Sequence, residues 1–320
     1  MPIPDLEGAA VLVTGGAGFI GSHLVDALVA RGARVRVLDD LSTGSAANLA
    51  HHGATVELCR GDVRAREACV DACRDVRWVF HLAAVGSVPR SLEDPASTIA
   101  VNVGGAANVF AAARDAGAGR VVYASSSAVY GDSQKLPQRE GDEGAPLSPY
   151  ALSKTMNEEL AATFARCFGQ QLVGLRFFNV YGPRQSPQGP YAAVVPRFLA
   201  AARSGAPLEI HGDGEQSRDF CHVADAVEAA LLAAGAPEHA CGRAYNVAGG
   251  ERVTLNALAA RLAAVAGDAA APIHVAPRAG DVRHSQADLT AARERLGYAP
   301  RVSLADGLRD LWQAAVASPA

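Results

Sequence analysis

The chain has 320 residues, of which 49% are apolar, enough for a well-buried core and more than one lobe. Its net charge of −4 gives no basic footprint for nucleic acid, and no uncharged apolar run of about 18 residues suggests a membrane span. Met1 to Gly8 carries Asp5 and Glu7 and no basic region, which argues against a signal peptide. The six cysteines form no Cys-x-x-Cys motif, and the nine histidines no His-x-x-x-His pair. We therefore expect no metal, and thiols buried in a reducing cytoplasm.

In chain order, Ala9 to Thr14 is an apolar run ending at glycine, the pattern of a buried parallel strand. Phe19 to Arg31 reads as a helix stopped by Gly32. Strands follow at Arg34 to Leu38, Val56 to Cys59 and Trp78 to Leu82. An alanine-rich helix is expected from about Ser97 to Ala116, then a strand at Arg120 to Ser125. A helix bearing Tyr150 and Lys154 runs to about Phe168, before a strand at Leu172 to Arg176. This alternation predicts an α/β fold with a doubly wound parallel sheet.

Beyond Gly182-Pro183 the pattern loosens, with short strands near Leu208 to His211 and Ala244 to Ala248. Helices are expected near His222 to Ala234, Leu255 to Ala266, Ala287 to Leu296 and Leu304 to Val316. We read 1–181 as a Rossmann domain and 182–320 as a smaller, mainly substrate-binding C-terminal lobe, with some later segments returning to the sheet.

Ligands bind such sheets at the carboxyl ends of the strands. The turn Gly15-x-x-Gly18-x-x-Gly21 follows a strand and opens a helix, which is the context for a dinucleotide pyrophosphate. Asp39, 18 residues beyond Gly21, suits the adenine ribose and favours NAD over NADP; the pair Asp39-Asp40 also fits an ordinary turn. Asp62 fits either the adenine amino group or a helix N-cap. Tyr150 and Lys154 stand at i and i+4, on one helix face. A lysine ammonium there should lower the tyrosine pKa and make it a general base.

These residues resemble the extended short-chain dehydrogenase/reductase family. The matches run in order: VTGGAGFIGSHL (Val13 to Leu24), DDLSTG (Asp39 to Gly44), GDVR (Gly61 to Arg64), HLAA (His81 to Ala84), YASSSAVYGD (Tyr123 to Asp132), SPYALSK (Ser148 to Lys154), RFFNVYGPRQ (Arg176 to Gln185) and GDGEQSRDF (Gly212 to Phe220). Within the family the chain is most similar to UDP-sugar 4-epimerases, closest to those acting on UDP-N-acetylglucosamine.

The resemblance implies NAD as cofactor, a UDP-sugar as substrate, a homodimer, and Ser126, Tyr150 and Lys154 as the catalytic set. It places the dinucleotide against Gly15, Gly18, Phe19 and Ile20, against Asp39, Asp40, Ser42, Thr43 and Gly44, and against Asp62 and Val63. Leu82, Ala83 and Ala84, then Asn102 and Phe177, complete that side, with Tyr150 and Lys154. For the substrate it implies Ser87, Ser127, Asn179, Gln185, Ala193 and Val194, then Ile210, with Arg218 and Arg278 on the pyrophosphate, and Asp281.

Family dehydratases and decarboxylases carry an acidic residue soon after the catalytic Ser/Thr. Here Ser127-Ala128-Val129-Tyr130 follows Ser126, which leaves oxidation and reduction at one carbon. GSVPRS (Gly86 to Ser91), PYAAVVPRF (Pro190 to Phe198) and RAGDVRHS (Arg278 to Ser285) resemble epimerases of N-acetylated sugars. Restricted galactose epimerases place a bulky residue where Ser285 stands, so a small side chain leaves room for an N-acetyl group; Ser285 also reads as a small surface residue. The resemblance leaves UDP-glucuronate or UDP-glucose as alternative substrates, with Arg90 or Arg184 as partners for a sugar carboxylate. A non-catalytic NAD sensor is the alternative of another class.

Overall fold

The computed structural model describes residues 3–188, 192–267, 271–277 and 282–317. Its first part runs β1 (Ala10–Thr14), α1 (Phe19–Val29), β2 (Arg34–Asp39), β3 (Val56–Arg60), α2 (Arg66–Ala72), β4 (Trp78–His81), α3 (Val88–Glu93), α4 (Pro95–Ile99), α5 (Gly105–Asp115), β5 (Arg120–Ser126), α6 (Pro149–Phe168) and β6 (Leu172–Phe177). The second part runs β7 (Val180–Tyr181), α7 (Val194–Ser204), β8 (Glu209–His211), β9 (Ser217–Asp219), β10 (Cys221–His222), α8 (Val223–Ala234), β11 (Arg243–Val247), β12 (Arg252–Thr254), α9 (Leu255–Ala266), β13 (Ile273–Val275), α10 (Thr290–Leu296) and α11 (Leu304–Ala317).

Seven parallel strands form the main sheet in the order β11-β6-β5-β4-β1-β2-β3. β6 is buried along its whole length, whereas the edge strand β3 exposes most of its residues. That contrast follows from helices covering both faces of the sheet's interior. α1 and α8 pack together on one face, around Leu24, Leu28 and Leu231. α2, α5 and α6 cover the other, around Val109, Phe110 and Ala161. A third apolar cluster joins α7, α9 and α11 through Phe198, Leu258 and Leu308. Short pairs complete the second half: β7 with β10, β9 with β12, and β8 with β13.

Two features depart from the expected elements. The helix anticipated from Ser97 to Ala116 is interrupted by a wider turn at Ala100–Gly104, with α4 before it and α5 after it. By length and composition the run Pro95–Asp115 is apolar enough to cross a membrane, although sequence inspection found no such run; here it flanks the sheet, with Asn102, Val109 and Phe110 fully buried. Secondly, α2, α3 and α7 were not anticipated, being short or set in Pro/Gly-rich surroundings that blur a helical period.

The helix bearing Tyr150 and Lys154 is closely specified at its ends. Ser148 caps α6, its Oγ accepting from the Ala151 N–H at 3.1 Å, and Pro149 occupies the first turn. Gly169, at φ +65°, closes it in the left-handed conformation that glycine adopts without strain.

Candidate active site

Strand order reverses between β1 and β4, and the loops after these strands meet there. Gly15 has φ +71°, and a Cβ on it would lie 2.6 Å from the Ala83 nitrogen. A Cβ on Gly21 would lie 2.1 Å from the Gly15 carbonyl oxygen. Only glycine permits this packing, and α1 then starts directly behind the turn, at Phe19 and Ile20. The result is a backbone cradle at a helix N-terminus, a fit for a dinucleotide pyrophosphate.

Asp39 is buried at the end of β2. One carboxylate oxygen accepts from the Ala17 N–H at 2.9 Å and the other from the Leu41 N–H at 2.9 Å. The residue therefore braces the glycine turn itself. Asp40 is exposed and accepts from the Ser42 N–H. The loop bearing Thr43 and Gly44 is pulled against the turn by Ser45 and Asn48, which both donate to the Ala17 carbonyl. Sequence reading singled out neither residue; their role depends on a contact made across the fold.

Asp62 does not cap a helix. The N-cap position of α2 is Ala65, and the Asp62 carboxylate takes the Arg64 N–H at 2.8 Å and its guanidinium at 2.5 and 2.8 Å. The ion pair holds that carboxyl below its ordinary range. Val63 beside it is buried, its carbonyl accepting from Asn108.

Leu82 to Ala84 follow β4, with the Leu82 N–H donating to the Thr14 carbonyl. Asn102 is fully buried in the wide turn between α4 and α5. Its amide exchanges hydrogen bonds with the Val85 backbone and donates to Ser153 Oγ at 2.9 Å. It thus ties the loop after β4 to α6.

At the end of β5, Ser126 Oγ accepts from the Ala128 N–H at 3.1 Å, and Ser127 is half-buried beside it. Lys154 Nζ donates to the Ala124 carbonyl at 2.9 Å and lies 5.9 Å from the centre of the Tyr150 ring. These contacts bring Ser126, Tyr150 and Lys154 to one place, but the electrostatics differ from the sequence expectation. Burial pushes the Tyr150 phenol above its usual range, with hydrogen bonding by Ser126 opposing the rise. Burial also pulls the Lys154 ammonium down to about 8, with Glu158 opposing that fall. The desolvation of both groups outweighs the attraction that the i, i+4 spacing promised.

His81, beneath this site, is hydrogen-bonded through Nδ1 to Thr14 Oγ1 at 2.7 Å. Burial, and secondarily the Lys154 charge, drops it to about 3, so it is neutral near pH 7. Its folded pKa lies below the usual 6.5, so the unfolded chain takes up that proton first. The associated stability is complete above pH 6.5 and is lost as pH falls from there toward 3. Replacing His81 with Gln is expected to flatten the decline of Tm between about pH 6 and pH 4. An unchanged acid slope in the mutant would count against this assignment.

Phe177, expected against the cofactor, ends β6; of the residues expected to meet the substrate, Asn179, at φ +27°, donates through Nδ2 to the Asp219 carbonyl. Ser87 caps α3, and Ala193 and Val194 begin α7. Ile210 is fully buried in the second-half core. Gln185 lines a cavity of about 290 Å³ between residues 182–185, α7 and α11, whose lining includes none of Ser126, Tyr150 and Lys154. Arg218 lies on β9 and donates to the Ser217 carbonyl at 3.0 Å. Arg278 and Asp281 lie outside the described residues.

Ser285 is not a surface residue. It is buried, and its hydroxyl donates to Gln138 Oε1 at 3.2 Å. Arg184, expected as a partner for a sugar carboxylate, is committed elsewhere: it pairs with Asp26, contacts His23 Nδ1 at 2.7 Å and donates to the Asn48 carbonyl. The same Asp26 accepts from His51 Nε2 at 2.9 Å and His52 Nε2 at 2.8 Å. This is a donor set suited to a divalent ion that no local His spacing announced, although the Arg184 guanidinium already holds the second carboxylate oxygen.

A family model described as the NAD dependent epimerase/dehydratase family matches residues 11–248. A UDP-glucose 4-epimerase of Mycolicibacterium smegmatis is 40% identical over 301 residues, covering 93% of this chain and 95% of that protein. Among solved structures, a UDP-glucose 4-epimerase of Thermotoga maritima with UDP-glucose superposes with a TM-score of 0.90 at 36% identity, covering 96% of this chain and 99% of that one. The UDP-N-acetylglucosamine 4-epimerase of Methanobrevibacter ruminantium M1, in complex with UDP-N-acetylmuramic acid, gives 0.92 at 35% identity, covering 97% and 99%.

Proposed function

Because the chain belongs to the NAD dependent epimerase/dehydratase family, we propose that it inverts C4 of a UDP-hexose, interconverting UDP-N-acetylglucosamine and UDP-N-acetylgalactosamine. The observation that carries the reading is the grouping of Ser126, Tyr150 and Lys154 beside a glycine cradle, with no carboxylate from Ser127 to Tyr130 to drive elimination. NAD, when bound, supplies a hydride acceptor and a positive charge near Tyr150. The cradle of Gly15, Gly18 and Gly21, with Asp39 behind it, would hold its pyrophosphate and ribose.

Tyr150 takes the proton from the sugar 4-hydroxyl and later returns it to the same oxygen. Ser126 hydrogen-bonds that oxygen and keeps it aligned. Lys154, anchored to the Ala124 carbonyl, holds positive charge on the far side of the phenol. In the chain alone the phenol is protonated at neutral pH, so added positive charge is what makes it a base. Arg218 and Arg278 are suited to the UDP pyrophosphate, because guanidinium forks match phosphate oxygens.

The small Ser285 and the loop Gly86 to Ser91 favour the N-acetylated pair, and the commitment of Arg184 to Asp26 disfavours a glucuronate. The Mycolicibacterium smegmatis relative favours UDP-glucose and UDP-galactose as the second reading. Assay of the three sugar pairs decides between them. Ser285→Tyr is expected to lower kcat/KM for UDP-N-acetylglucosamine at least about tenfold more than for UDP-glucose. Equal losses on the two sugars would remove Ser285 from the specificity argument. For self-association, the exposed Leu152, Met156 and Phe168 on α6 support a homodimer built on that helix.

A further inference from the structure

Tyr150, Lys154 and Glu158 follow one another at four-residue steps on α6, so all three stand on one face. Two of them are stitched to consecutive positions of β5. Lys154 donates to the Ala124 carbonyl at 2.9 Å, and one turn further on Glu158 Oε1 accepts from Ser125 Oγ at 2.5 Å. Ser125 immediately precedes Ser126 in the strand, so a contact that anchors the Ser125 side chain also steadies the strand at 126.

Glu158 is itself held from β6. Arg176 donates to it through Nε at 2.9 Å and Nη2 at 2.6 Å. The same guanidinium pairs with Glu143 and donates to Tyr130 at 3.1 Å, and the Tyr130 hydroxyl donates to Asn246 Oδ1 on β11 at 2.7 Å. The carboxylate is thus held directly from β5 and β6, with β11 bracing the Arg176 guanidinium through Tyr130, more than an incidental surface pair on a helix requires.

We propose that Glu158 is a positioning residue of the reaction: it sets the height of α6 against the end of β5, and with it the approach of Tyr150 to Ser126, while keeping a negative charge one turn from the Lys154 ammonium. The charges around Lys154 support the second role. Tyr150 and Glu158 lie on its own helix, His81 on β4 is neutral, and β5 offers Ser126 and the Ala124 carbonyl. Glu158 is the group that opposes the fall of the lysine pKa. Arg176 balances Glu158 from behind, and Glu143 shares that guanidinium.

The proposal rests on Tyr150 and Lys154 acting as described, and not on which sugar is preferred. Rates are therefore compared on whichever UDP-hexose pair the wild type interconverts fastest, so a wrong sugar assignment leaves the comparison intact. Failure of Tyr150→Phe to lose activity would sink the base assignment instead.

In Glu158→Gln, kcat is expected to fall about 10- to 100-fold with KM within about threefold of wild type. The alkaline limb of the kcat profile should move to lower pH by about half a unit or more, as Lys154 loses its proton earlier. Glu158→Asp, which keeps the charge but shortens the reach, should restore the limb while kcat stays depressed. A kcat within about twofold of wild type, or a loss matched by the inactive fraction with an unmoved limb, overturns the proposal. Should the Gln variant fail to fold, Ser125→Ala tests the β5 contact alone. A fall in kcat of about three- to tenfold at unchanged KM supports it, and a wild-type kcat overturns it.

Discussion

Tyr150→Phe should lower kcat by about a thousandfold or more while leaving NAD retention intact, since general-base contributions alone run to about 10⁴. The phenylalanine ring keeps the shape that packs at the start of α6 and removes only the oxygen that exchanges a proton with the sugar. Tyr150 stands on α6 and the glycine turn lies between β1 and α1, so the substitution is expected to leave the proposed cradle intact. The measurement is single-turnover and steady-state epimerisation with bound NAD determined on the same sample. Turnover within about tenfold of wild type would contradict the assignment, because the Ser126 hydroxyl would then be doing the proton transfer.

Gly21→Ala should abolish useful cofactor binding through sterics alone. A single methyl group would enter within 2.1 Å of the Gly15 carbonyl oxygen and 2.8 Å of the Gly16 Cα, and both are backbone atoms that cannot rotate aside. Relief requires α1 to move back from β1, which opens the cradle and disturbs the Leu24 and Leu28 packing against α8. The expected result is NAD affinity weaker by about 100-fold, with a stability loss of about 1–3 kcal/mol, the usual cost of overpacking. Isothermal titration of the cofactor-stripped protein measures the first and thermal melting the second. Normal affinity in a normally stable mutant would show that the turn is not the pyrophosphate cradle.

The two experiments probe parts of the site that were legible to different degrees. The glycine turn and the Tyr150/Lys154 pair were visible in the sequence because each is a short-range pattern read against a strand or a helical period. The same spacing that revealed the pair also placed Glu158 one turn further along, yet nothing local marks it as more than a surface acid. Its partners, Ser125 and Arg176, stand 33 and 18 residues away. Gln138 escaped notice in the same way, since its hydrogen bond reaches Ser285 across 147 residues; Asn102 was expected near the cofactor, but its bond to Ser153, 51 residues on, was not.

Charge behaviour was the least legible feature. From spacing alone, Lys154 should depress the tyrosine pKa; in the folded chain burial raises the phenol and lowers the lysine toward about 8. Desolvation is set by everything packed around a group, not by its nearest neighbour on the helix, so it cannot be read from two residues four apart.

What the sequence alone determined is local and periodic. The strand and helix alternation demanded a parallel sheet, and the glycine turn and the helical Tyr–Lys pair pointed to a dinucleotide site with a candidate base beside it. What only the tertiary structure decided is where buried polar atoms find partners. It gave both Asp39 oxygens to the Ala17 and Leu41 backbone, turned Arg184 onto Asp26, hid Ser285 against Gln138 and set which later segment, β11, returns to the sheet edge and that it pairs with β6. A buried hydrogen-bonding group must be satisfied by whatever the completed fold places next to it, and chain separation is no guide to that neighbour.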